Sequence, residues 1–183
     1  MNILVIYGSL REKSINKALA RAVQVNAPEG MKTELMGVDG LSLFNQDDEL
    51  TNYPAHAQEA KQKIAAADGV LIVTPEYNRA PPGALKNFLD WTSRPEGQMP
   101  WGGKPVGVLG ASNGMRGASF AQYDIRRIVA YFNARMMGQP EYYLAQGDKK
   151  IENDVVTDEK SVEVLKRFLA AFKMYVEHEQ KAS

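Results

Sequence analysis

Ile3-Leu4-Val5-Ile6, followed by Gly8-Ser9-Leu10-Arg11-Glu12-Lys13-Ser14-Ile15-Asn16, decides how the rest of the chain is read. Four consecutive apolar residues closed by a glycine turn read as a strand buried on both faces, as in the middle of a parallel sheet. Ser14 then opens a helical pattern with Ile15, Leu19, Ala22 and Val23 on one face, at spacing i, i+4, i+7 and i+8. A buried strand that passes through a polar turn into an amphipathic helix is the first half of a βαβ unit.

The same alternation continues outward. Met31 to Met36 reads as a short strand, and Pro54 sits where a first helical residue belongs, ahead of Ala57, Ala60, Ile64 and Ala67 on one stripe. Val70-Leu71-Ile72-Val73 is the next buried strand, ended by Pro75. Pro82 starts a short helix with Leu85, Phe88 and Leu89 inward, and Val106-Gly107-Val108-Leu109 is a further strand stopped by Gly110. A helix from about Ser119 presents Ile125, Ile128, Val129 and Phe132; a short strand lies near Met136-Met137. The last helix starts near Asp158 and carries Val162, Leu165, Leu169, Phe172 and Val176 on one face. The pattern predicts one α/β domain over residues 1–183. It is a flavodoxin-like, doubly wound, five-stranded parallel sheet of order 2-1-3-4-5 flanked by helices. Ligands in such sheets bind at the carboxyl ends of the strands.

Composition removes several function classes. The chain has 183 residues with 22 basic and 22 acidic side chains, a formal net charge of zero. With 44% hydrophobic residues it is neither a disordered chain nor, on overall charge, a nucleic-acid binder. Cysteine is absent, which excludes disulfides, thiolate nucleophiles and cysteine-held metal clusters. His56 and His178 lie far apart and outside the ligand turns, so no histidine metal centre and no catalytic base is expected. No apolar run reaches the roughly 18 residues of a membrane span. The start Met1-Asn2-Ile3 has no basic n-region, so a cytoplasmic protein without a membrane partner is expected.

Three turns follow the three most buried strands. The first, residues 8–16, is rich in hydroxyls and runs into a helix N-terminus, where free N–H groups and the dipole favour an anion. Ser9, Ser14 and Asn16 offer neutral donors and Arg11 a charge, which suits a phosphate monoester; Ser14 as a simple helix cap is the alternative. The turn is neither a Walker A loop nor a dinucleotide fingerprint, since Leu10 stands at the second glycine position. The second turn, Thr74-Pro75-Glu76-Tyr77-Asn78-Arg79-Ala80-Pro81-Pro82, is stiffened by its prolines and offers polar backbone and the Tyr77 ring to a planar ligand. The third, Gly110 to Gly117, is small enough for close approach of a ligand, or is merely a turn. Arg126-Arg127 reads as a solvated or interface face, and Met136-Met137 as core.

Together Gly8-Ser9-Leu10-Arg11, Ser14, Asn16, Pro75-Glu76-Tyr77-Asn78, Pro82-Gly83, Leu85-Lys86-Asn87, Asp90-Trp91 and Ser112, Gly114, Gly117 resemble the NADPH-dependent FMN reductase family, in its bacterial quinone and chromate reductase branch. The resemblance spans nearly the whole chain. It implies a flavodoxin-like fold, non-covalent FMN, and a homodimer or homotetramer. It also implies that Ser9, Arg11, Ser14, Ile15 and Asn16 hold the FMN phosphate, that Pro75, Glu76, Tyr77 and Asn78 lie along the isoalloxazine, and that Ser112 contacts the flavin. Glu12-Lys13 departs from the pattern by placing a carboxylate in a phosphate turn, and Glu12 is expected to point outward. Arg79-Ala80-Pro81 departs from it beside the substrate space.

The implied activity is ping-pong, mainly two-electron transfer from NADPH or NADH to quinones or other small acceptors such as chromate, azo or nitro compounds or free flavin. No side chain serves as nucleophile or acid in this chemistry. A flavodoxin-type one-electron carrier and a catalytically silent nucleotide-binding module are the alternatives on the same fold. Trp91 and Trp101 lie off the inward stripe of their segment, and large aromatics beside a ligand turn point to burial by a partner copy.

Overall fold

The three longest apolar runs lie side by side. In the computed structural model, which describes residues 1–182, they are β1 (Asn2–Tyr7), β3 (Gly69–Thr74) and β4 (Pro105–Ala111). The remaining strands are β2 (Lys32–Gly37), β5 (Arg135–Met136), β6 (Tyr142–Leu144), β7 (Ile151–Glu152) and β8 (Val155–Val156). The helices are α1 (Ile15–Val25), α2 (Ala55–Ala66), α3 (Gly83–Thr92), α4 (Ser119–Tyr131), α5 (Gly147–Lys150) and α6 (Glu159–Lys181). The main sheet is parallel with order β2-β1-β3-β4-β5, as the alternation predicts.

Period-two alternation splits the core across this sheet. Ile3, Val5, Leu71 and Val73 face one side and pack with Leu19, Val23, Leu165, Leu169 and Phe172 of α1 and α6. Leu4, Ile6, Val70 and Ile72 face the other and pack with Ile64, Leu85, Phe88, Ile125 and Val129 of α2, α3 and α4. Both faces are covered, so the central strands carry no polar alternation.

Three expectations need correcting. The fifth strand is two pieces: β5 pairs with the start of β4 and β6 with its end. Pro140 lies between them and has no N–H to give to a ladder. Trp91 and Trp101 are fully buried within the chain itself. Residues 38–54 fold over α3, so that Trp91 donates its indole N–H to the Ser42 carbonyl at 2.8 Å and meets Phe44 and Tyr53 edge-on. Trp101 donates to the Thr92 hydroxyl at 3.2 Å. Arg126 is not solvated: its Nη1 donates to the Met137 carbonyl at 2.7 Å, while Arg127 stays exposed beside Asp124.

Candidate functional site

Register brings the three turns to one end of the sheet. Tyr7 pairs with Val73 and Thr74 with Gly110, so residues 8–14, 75–82 and 111–118 leave the sheet next to one another. Gly8 donates to the Val73 carbonyl at 2.9 Å, and any Cβ at Gly8 would come within 2.7 Å of Leu85 on α3.

In the first turn Ser9 and Ser14 are buried, whereas Arg11, Glu12 and Lys13 are exposed. Ser14 Oγ accepts from the N–H groups of Asn16 and Lys17 at 3.2 and 3.3 Å and so caps α1. The N–H groups of Lys13, Ser14 and Ile15 find no acceptor among the described residues. A helix mouth with spare donors, in the same turn as the exposed Arg11, fits a bound phosphate. Asn16 also has a partner that the sequence does not show. Its amide donates to the Ala111 carbonyl at 3.0 Å and accepts from the Ala111 N–H at 2.9 Å, with the residue 1% exposed. One of its two amide N–H groups thus stitches α1 to the end of β4.

In the second turn Tyr77 and Ala80 exchange both backbone hydrogen bonds, at 2.9 and 3.0 Å. Asn78 and Arg79 between them have φ of 52° and 68°, a primed two-residue turn made without glycine. The Glu76 carboxylate accepts from the N–H groups of Phe120 and Ala121 at 2.9 and 3.3 Å through one oxygen, while the other stands 3.7 Å from Arg79. It thereby caps α4, whose preceding residue Ala118 supplies no side-chain cap. That leaves the backbone of Pro75 and Glu76, with the half-exposed Tyr77 ring, to line a flat ligand.

The third turn is laced to the residues after β6. Ser112 N–H donates to Leu144, Gln146 N–H to Gly114 and Gly147 N–H to Ser112, each at 3.0 Å. Gly117 has φ of 54°, and a Cβ there would lie 2.7 Å from the Tyr143 backbone. The side chain that fixes this arrangement escaped the sequence reading. Gln122 is fully buried and donates to the carbonyls of Gly117 and Tyr142 at 3.1 and 3.0 Å. A glutamine three residues before Ile125, on the inward face of α4, was its only signal. Burial, then hydrogen bonds with Glu141 and Tyr123, push the Tyr143 phenol up, so it stays protonated beside the turn.

Ser14 and Ile15 also line an open cleft of about 450 Å³, with Lys13, Ile151, Asn153 and Asp154 of the β7–β8 hairpin. Among the described residues no cluster of three or more His, Cys, Asp or Glu could hold a metal. None of the helices is long and apolar enough to cross a membrane.

The sequence profile of NADPH-dependent FMN reductase matches residues 1–149. A 2-hydroxy-1,4-benzoquinone reductase of Burkholderia sp is 42% identical over 177 residues, 96% of each chain. A quinone reductase of Escherichia coli K12 is 34% identical over 97% of this chain and 96% of its own. The solved structure of FerB, a flavoenzyme NAD(P)H:(acceptor) oxidoreductase from Paracoccus denitrificans, superposes with a TM-score of 0.89 at 36% identity, covering 97% of this chain and 98% of that one.

Proposed function

The chain belongs to the NADPH-dependent FMN reductase family, an NAD(P)H-dependent oxidoreductase with FMN as its cofactor, and from that premise we propose that it reduces quinones by two-electron, ping-pong transfer. When bound, FMN accepts electrons from the nicotinamide and gives them to the acceptor. The protein binds, orients and shields. The N–H groups of Lys13, Ser14 and Ile15 and the Arg11 charge hold the phosphate; Ser9 and Ser14 shape that turn. Pro75, Glu76, Tyr77 and Asn78 set a rigid wall along the ring, and Ser112 closes it from the third turn. The Glu76 carboxylate works through α4, and Asn16 through Ala111.

The observation that carries this reading is the α1 mouth, where three N–H groups without acceptors among the described residues open at the same end of the sheet as the rigid Tyr77–Ala80 turn. The 42%-identical relative supports a hydroxylated benzoquinone as acceptor. Chromate, azo and nitro compounds and free flavin are secondary acceptors of the same open site. The assembly is a homodimer or homotetramer in the cytoplasm.

The test is colour. The purified protein is expected to be yellow, to bleach anaerobically with NADPH or NADH, and to regain its colour with 1,4-benzoquinone. A yellow protein inert to nicotinamides would be a carrier, and a colourless one that takes up no FMN a silent module.

A further inference from the structure

Two arginines from different turns meet on one aromatic ring. The Arg79 guanidinium carbon lies 5.0 Å from the centroid of the Phe120 ring, and that of Arg116 lies 5.9 Å from it. The backbone that carries the ring is fixed where the Phe120 N–H donates to Glu76. The backbone at Arg79 lies in a turn closed with two hydrogen bonds. The group is open to solvent: Phe120 is 46% exposed and the neighbouring Tyr77 49%.

Its two positive charges are balanced only in part, by one carboxylate. The Glu76 carboxylate accepts two N–H groups of α4 and stands 3.7 Å from Arg79. Arg116 has no ion pair among the described residues. Arg79, from the departure in the second turn, and Arg116, four residues after Ser112, thus form one cationic, aromatic edge. An arginine stacked on a ring keeps its outward N–H groups free for an oxyanion.

We propose that Arg79, Phe120 and Arg116 set acceptor specificity, by favouring quinones that are anions in their oxidised form. A 2-hydroxyquinone is such a compound: its hydroxyl is a vinylogous carboxylic acid, ionised at neutral pH. The inference rests on the quinone reductase reading above. The ionised quinone gains two electrons and three protons to become the neutral hydroquinone, whose third hydroxyl is an ordinary phenol. The nicotinamide donor supplies both electrons and one proton as hydride, and solvent supplies the other two. The arginines take no part in that transfer. They raise the encounter and residence of the anion, so their effect falls on kcat/KM and weakens with salt.

The experiment uses the FMN-loaded protein and measures kcat/KM for ionised 2-hydroxy-1,4-naphthoquinone and neutral 2-methyl-1,4-naphthoquinone. Wild type is compared with Arg79→Gln, Arg116→Gln, the double variant and the Arg79→Lys/Arg116→Lys pair. The double glutamine variant is expected to lose about tenfold on the anion and to stay within about twofold on the neutral quinone. The lysine pair should recover part of the loss. Equal losses on both quinones, or a loss confined to reduction by NADPH, would overturn the proposal and give the arginines to the fold or to the donor's phosphates. If wild type reduces neither quinone, the reading of the site as a quinone reductase fails instead.

Discussion

Arg11 and Asn16 stand five residues apart in one turn and do different work. Arg11 is exposed and without an ion pair among the described residues, so its charge is available to a ligand. A charged hydrogen bond to phosphate contributes about 1.5–3 kcal/mol, so Arg11→Ala should weaken FMN binding roughly ten- to a hundredfold. Riboflavin, which lacks the phosphate, should bind almost unchanged, and titration of both flavins by fluorescence quenching checks this. Asn16 is buried and bonded to both backbone groups of Ala111. Asn16→Ala strands the Ala111 N–H and carbonyl away from water, which costs about 3 kcal/mol of folding stability. Urea unfolding of the cofactor-free protein reads that loss apart from any effect on FMN. The sequence named both residues but could not separate them. An asparagine at the end of a phosphate turn looks only like a ligand donor until its partner, 95 residues away, is known.

At the scale of elements, α3 and the segment over it show where sequence reading stops. The stripe Leu85, Phe88, Leu89 and the Pro82 start were legible because they are local and periodic. The burial of Trp91 was not, because its cover comes from Ser42, Phe44 and Tyr53. Strands β6, β7 and β8 are two or three residues long, too short to carry a period. The cap of α4 by Glu76 joins residues 44 apart, and no local signal marks it.

Tyr53 makes the cover over α3 testable. Its hydroxyl donates to the carbonyls of Trp91 and Arg94 at 2.6 and 3.0 Å. Burial, and then the nearby Glu49, push the phenol up to about 12. A raised value means that the folded protein favours the neutral form. The stability it contributes is therefore whole below about pH 10 and is lost as pH rises towards 12. Tyr53→Phe should cost about 1 kcal/mol at neutral pH and flatten the loss of stability between pH 10 and 12. Denaturant midpoints across that range supply the measurement.

For the whole molecule, the burial of both tryptophans moves the argument for assembly elsewhere. Tyr123 and Tyr131 remain exposed on α4, at 58% and 87%. Their spacing of eight residues keeps them on one side of that helix. Sedimentation at micromolar concentration should give at least twice the chain mass, and Tyr131→Glu should shift it towards the monomer. A monomer in the wild type would refute the dimer. The sheet order was legible because buried strands and crossover helices leave few alternatives.

That order has a price in time. Strand β1 is the first element made, yet it ends between β2 and β3. Its second neighbour is completed only at Thr74, and β4 only at Ala111. At ribosomal speeds of about 5–20 residues per second, an apolar strand waits roughly 3–13 s for the partner that buries it. The yield of native protein in a cell therefore depends on translation rate and on chaperone supply during those seconds, even where the finished fold is stable.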